Sequence, residues 1–98
     1  MADQQPRDEV LIENALAGNE TAFENLMIRH THAVRVLIAR YFRNRWQVDD
    51  MAQETFVRAF FALRDYRREA PFVFWLKQIA VRLCLDEVRN RRTGKLAF

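Results

Sequence analysis

One cysteine, two glycines, two prolines and two histidines among 98 residues leave several protein classes without their usual means. A lone thiol, Cys84, forms no internal disulfide, so the fold does not rest on cross-links and a reducing compartment suits it. It reads as a small buried apolar side chain. So few glycines and prolines remove the punctuation of a many-turned sheet. His30 and His32 stand two apart, which on a helix points them in different directions and denies them the shared metal that a four-residue spacing allows. His30 falls on an apolar stripe and reads as a hydrogen-bonded core residue, His32 as solvent-facing. No glycine-rich phosphate loop occurs, and no apolar run approaches the ~20 residues of a membrane span. The polar, acidic N-terminus lacks the regions of a secretory signal. The expectations are a cytoplasmic chain without stable membrane insertion, metal or cofactor, and, for want of a base or nucleophile in a plausible setting, no enzyme.

What is present is half hydrophobic and 30% charged. Runs rich in Ala, Leu, Arg, Glu and Val between the few breakers predict one all-α domain, a compact four-helix arrangement large enough for a single core. The domain is expected to span residues 1–92, with its core at about 8–92 and a truncated linker starting at 93–98. Net charge is only +3, but it is unevenly laid out. Residues 1–28 carry six acids and one arginine, whereas residues 66–98 carry eight Lys or Arg and three acids. An anionic partner at the basic end fits this asymmetry, and a solvated basic face is the plainer alternative.

A short first helix is predicted from Asp8 to Ala17, with Val10, Leu11, Ala15 and Leu16 inward and Gly18 as its stop. Asn19 caps a long second helix whose Phe23, Leu26, Met27, His30, Ala33, Val34, Leu37, Ile38 and Tyr41 recur at steps of three and four. Arg29, Arg35, Arg40, Arg43 and Arg45 mostly fall off that stripe and make a basic end. A turn over Asn44 to Val48 leads to Asp49 and Asp50, acids suited to the positive end of a third helix that runs to about Leu63. Ala52, Phe56, Ala59, Phe60 and Leu63 form its expected core stripe. Residues 64–70 break the pattern. A fourth helix follows from Pro71 to about Arg91, with Phe72, Leu76, Ile79, Ala80, Leu83 and Val88 inward and Thr93-Gly94 at its end.

Two surfaces carry chemistry. The loop before the fourth helix supplies Tyr66, Arg67 and Arg68. The helix adds Phe74, Trp75, Lys77, Arg82, Arg89, Arg91 and Arg92, so aromatic rings are interleaved with phosphate-seeking cations, a pairing that suits unpaired bases. Lys77, Gln78, Val81, Arg82, Leu85 and Arg89 share the side opposite the core. Trp75 is better read as core, whereas Arg82 and Arg89 are better read as contacts. On the third helix Asp50, Gln53, Glu54, Val57 and Phe61 set anionic anchors beside an apolar patch, which is how one helix grips another. The plainer alternative there is a salt-bridged surface with Glu54 paired to Arg58. Phe61 resists that alternative, since a large aromatic on a solvated face wants a cover.

The string Asp49-Asp50-Met51-Ala52-Gln53-Glu54-Thr55-Phe56 with Arg58-Ala59-Phe60 and Ala62-Leu63, then Phe72, Trp75-Leu76, Ile79-Ala80, Asp86 and Arg89, resembles the N-terminal domain, sigma region two, of bacterial extracytoplasmic-function (ECF) sigma factors. Gly18-Asn19 with Ala22-Phe23, and Arg29, fit the same pattern, and the resemblance covers residues 8–92. It implies a sigma factor domain that binds the clamp coiled coil of the largest subunit of core RNA polymerase, with Asp50, Gln53 and Glu54 in the family's contacting positions. It further implies recognition and melting of the promoter minus-ten element as single-stranded non-template DNA. The loop Asp65, Tyr66, Arg67, Arg68, Glu69, Ala70 and Pro71 would wall the pocket for an extruded base, and the fourth helix would lie along the strand. Extrusion costs a few kcal/mol, which stacking and hydrogen bonds in a pocket must offset. An anti-sigma factor is an expected further partner.

Two positions depart from the family pattern. Arg82 stands where asparagine is usual on the DNA side, so base preference does not carry over, and Phe61 stands where a polar residue is usual. The family also has a second, helix-turn-helix domain, so the chain reads as an excised domain that by itself binds promoters weakly and activates poorly. The competing reading is a helical protein-interaction domain, a sigma-like adaptor without specific DNA binding.

Overall fold

The computed structural model describes residues 6–94, of which the side chains are described through Arg91. Four helices make the fold: α1 (Asp8–Leu16), α2 (Glu20–Ile38), α3 (Arg45–Ala62) and α4 (Phe72–Gly94), with a 3-10 turn (Leu63–Asp65) after α3. No strand occurs among the described residues. α1 packs on α2, and α2, α3 and α4 pack pairwise around one core.

Each join has a local cause. Gly18 takes φ 104°, and the amides of Gly18 and Asn19 donate to the carbonyls of Ala15 and Asn14, the paired bonds that close a helix through a left-handed residue. Asn19 then accepts from the Ala22 amide at 3.1 Å and starts α2. Beyond Ile38 the chain turns through Tyr41, and Phe42 enters the core. Asn44 accepts from the Trp46 amide at 2.8 Å. α3 therefore starts at Arg45, within the stretch expected to be a turn, and Asp49 and Asp50 lie beyond its first turn instead of at its positive end. Val48 extends the buried stripe one turn backward.

The core holds Leu26, Val34, Ile38, Leu76 and Cys84 at zero to the nearest percent exposure. Each large aliphatic among them contributes about 1.5–3 kcal/mol by leaving water. Thr55 is equally buried, its hydroxyl donating to the Met51 carbonyl at 2.7 Å. Three expected core residues are not there. Val10 and Leu16 are exposed, because Leu11 and Ile12 carry the inner face of α1. Phe60 is half exposed at the α2 edge of α3, its ring meeting Phe23 edge-on at 5.1 Å. His30 is close to buried and bonds the Asp8 carboxylate at 2.8 Å, while His32 is exposed. α4 begins one residue later than expected: Pro71 precedes it, and its carbonyl accepts from the Phe74 amide. Its helix also runs on through Thr93 and Gly94, and residues 95–98 of the expected linker lie outside the described residues.

Candidate functional site

The loop that leads into α4 is fastened at its base and open at its tip. The Tyr66 amide donates to the Leu63 carbonyl at 3.1 Å, and its hydroxyl donates to the Ala70 carbonyl, spanning four residues of loop. Its ring packs 5.5 Å from Phe72 and 5.2 Å from Trp75, and these two rings lie 5.4 Å apart. Burial first, then the Glu9 charge, push the Tyr66 phenol above its usual range, so it stays a hydrogen-bond donor. Asp65, Arg67, Arg68, Glu69, Ala70 and Pro71 are all exposed around this aromatic base. Arg68 takes φ 63°, the positive-φ non-glycine among the described residues.

α4 continues the surface. Lys77, Gln78, Val81, Arg82, Leu85 and Arg89 line one open depression of about 1220 Å³ together with Ala33, Val36 and Leu37 from α2, Arg40 from the turn after it and Arg58 from α3. Phe74, 54% exposed, stands one turn before Gln78 on the outward side. Trp75 is half-buried against the core, as expected, and also borders the depression. Arg82 is exposed and forms no ion pair with the described residues, whereas Arg89 reaches Asp86 at 3.6 Å. Arg91 has other partners: its guanidinium lies 5.5 Å above the Phe42 ring and bonds Glu87 at 3.1 Å, and the Gln47 amide satisfies it when oriented with its oxygen toward the guanidinium. It ties the C-terminal part of α4 to the start of α3. Arg92 is helical, and its side chain lies outside the described ones.

The outward face of α3 is separate from this surface. Asp50, Gln53, Val57 and Phe61 are exposed, Phe61 by 72%, and Glu54 is intermediate. Glu54 pairs with Arg58 at 3.3 Å, as the plain salt-bridge reading expects. Asp49 faces α2 instead and meets Arg35 at 2.6 Å. Sequence reasoning missed two aromatics near this face. Phe60 meets Phe61 edge-on at 5.2 Å and enlarges its apolar patch, and Trp46, 73% exposed, opens α3. Their signal was the turn over Asn44–Val48 and the core stripe to which they had been assigned.

Cys84 is wholly buried, which raises its thiol to about 11 and keeps it protonated. No group of three or more His, Cys, Asp or Glu that could hold a metal occurs among the described residues. No helix among them is long and apolar enough to cross a membrane.

Fold and surfaces together define an all-helical domain with two chemically unlike exposed faces, one acidic and apolar, the other cationic and aromatic. The chain belongs to the sigma-70 region 2 family, whose model matches residues 26–93. Among curated relatives it is 32% identical over 90 residues to the RNA polymerase sigma-H factor of Pseudomonas aeruginosa, covering 90% of this chain and 47% of that protein. It is 38% identical over 78 residues to the ECF RNA polymerase sigma-E factor of Escherichia coli K12, covering 80% and 40%. The chain thus spans less than half the length of these relatives. Among solved structures it is similar to an engineered region 2 of sigmaE in complex with GTAAAA, determined by NMR. The TM-score is 0.86 at 32% identity, over 96% of this chain and 97% of that one.

Proposed function

We propose that this domain, with its core at residues 8–92, acts in transcription initiation as a non-enzymatic part of RNA polymerase in the cytoplasm, reading the minus-ten promoter element as unpaired non-template DNA. The observation that carries the reading is the loop 65–71, fastened by Tyr66, Phe72 and Trp75 with its cations exposed and running into Lys77 and Arg82, in a fold matched across 96% of its length to a region 2 complexed with GTAAAA. A base turned out of a stack needs aromatic faces and charges for its phosphates, and the part-buried rings of Tyr66 and Trp75 beside exposed Arg67 and Arg68 supply both. The face of Asp50, Gln53, Glu54, Val57 and Phe61 is the proposed seat of the polymerase clamp coiled coil, its acids suited to a basic partner helix. An anti-sigma factor is proposed to regulate the domain by covering one of these faces.

The test is titration of the chain with fluorescent single-stranded oligonucleotides and matched duplexes at several salt concentrations. Saturable, salt-sensitive binding that depends on non-template sequence is expected. Equal, weak binding to every sequence would refute specific reading and leave a protein-contact domain.

A further inference from the structure

We propose that α1 is part of the promoter-reading site, with Glu13 as the positioning residue that holds Arg68, and through it the loop tip, in the geometry that meets DNA. This rests on the DNA reading above and extends it to a helix ahead of residues 26–93, the span of the family match.

Arg68 has a positive φ of 63°, a conformation that is uncommon for a residue with a side chain and persists where its surroundings enforce it. Two routes from α1 reach the loop. At the tip, the Glu13 carboxylate lies 3.8 Å from the Arg68 guanidinium. At the base, Asp8 bonds both Arg29, at 2.9 Å, and His30, at 2.8 Å, and the His30 ring packs 5.6 Å from Phe72, which in turn holds Tyr66. α1 also packs against the 3-10 turn from which the loop springs.

The Glu13–Arg68 pair is loose and exposed, 66% and 45% at the side chains, so it adds little to stability. Its effect is directional. It keeps a long, many-rotamer side chain at the loop tip beside an acceptor that a DNA phosphate can replace, since carboxylate and phosphate present alike to a guanidinium.

The test uses the full chain and a randomised pool of single-stranded hexanucleotides, from which the tightest binder and its single-base variants are taken. Glu13→Gln is expected to lower discrimination between them by about two- to fivefold. It should also shift the amide resonances of Arg67 to Glu69 in the DNA-free chain while the melting temperature holds. Arg68→Gln should do the same, and the double variant should be no worse than Arg68→Gln alone, a non-additivity that independent structural roles do not produce. Glu13→Gln with undiminished discrimination and unmoved loop resonances, or additive losses in the double variant, overturns the inference alone. An unmodified chain that binds all hexamers equally overturns the DNA reading and this inference with it.

Discussion

Arg35 and Asp49 meet at 2.6 Å across the α2–α3 interface, so of two adjacent acids one is fixed within the fold and its neighbour Asp50 faces outward. That division separates what each acid does. Asp49→Asn should cost about 0.5 kcal/mol, the pair being part-exposed, and lower the melting temperature by about 2–4 °C for a domain of this size. Asp50→Asn should leave the melt unchanged and weaken capture by the polymerase clamp coiled coil. Scanning calorimetry and a clamp pull-down read the two effects, and identical behaviour of both variants would remove the distinction.

Glu54→Arg places a cation at the centre of the acidic face. Clamp capture should be abolished while oligonucleotide titration stays as before. Phe61→Ser, at a residue 72% exposed, should reduce clamp affinity by more than about 1 kcal/mol with a stability change within about 0.5 kcal/mol. Undiminished pull-down by either variant counts against this face.

Arg82 and Arg91 lie on the same helix and should respond in opposite ways. Arg82→Ala should reduce the slope of log affinity against log salt by about 0.7, the value for one phosphate contact on a single strand, without moving the melt. Arg91→Ala removes a cation from above Phe42 and a bond to Glu87, so it should lower stability by about 1–2 kcal/mol and leave the salt slope in place. Arg82→Asn should change which hexamer a randomised pool yields.

Cys84 offers a pH test. Its thiol stands raised to about 11 by burial, from an ordinary 9.0. The folded state therefore holds the proton more tightly than the unfolded chain does. The sign follows: the associated stability is whole below about pH 9 and is lost as pH climbs toward 11. Denaturant midpoints should fall across that window in the parent and fall less in Cys84→Ala. A thiol-reactive dye at neutral pH should label the protein only as it unfolds.

α2 and α4 were legible because Leu26, Val34 and Ile38 on one and Leu76 and Ala80 on the other repeat at helical spacing, and these are among the deepest residues. The start of α3 was not. Asn44 caps through a single side-chain bond, and Arg45, Trp46 and Gln47 carry no apolar period to announce a helix. Phe60 sits one turn beyond Phe56, so period alone puts it in the core stripe, and only the packing of α2 against α3 decides that its ring lies at the edge. The exposed row on α3 followed from period alone. Arg91 did not, since its partners Phe42 and Gln47 are far along the chain and no local pattern brings them together.

The acidic row on α3 and the cationic surface of the loop and α4 have no named residue in common and are backed by one rigid core. On the proposed function, such an arrangement would make the domain bivalent. Once one face is engaged, the other meets its target at an effective concentration set by geometry, in the millimolar range for closely linked sites. On the proposed function, weak binding by each face alone would then suffice for the assembly and would keep the unassembled domain from occupying promoters by itself.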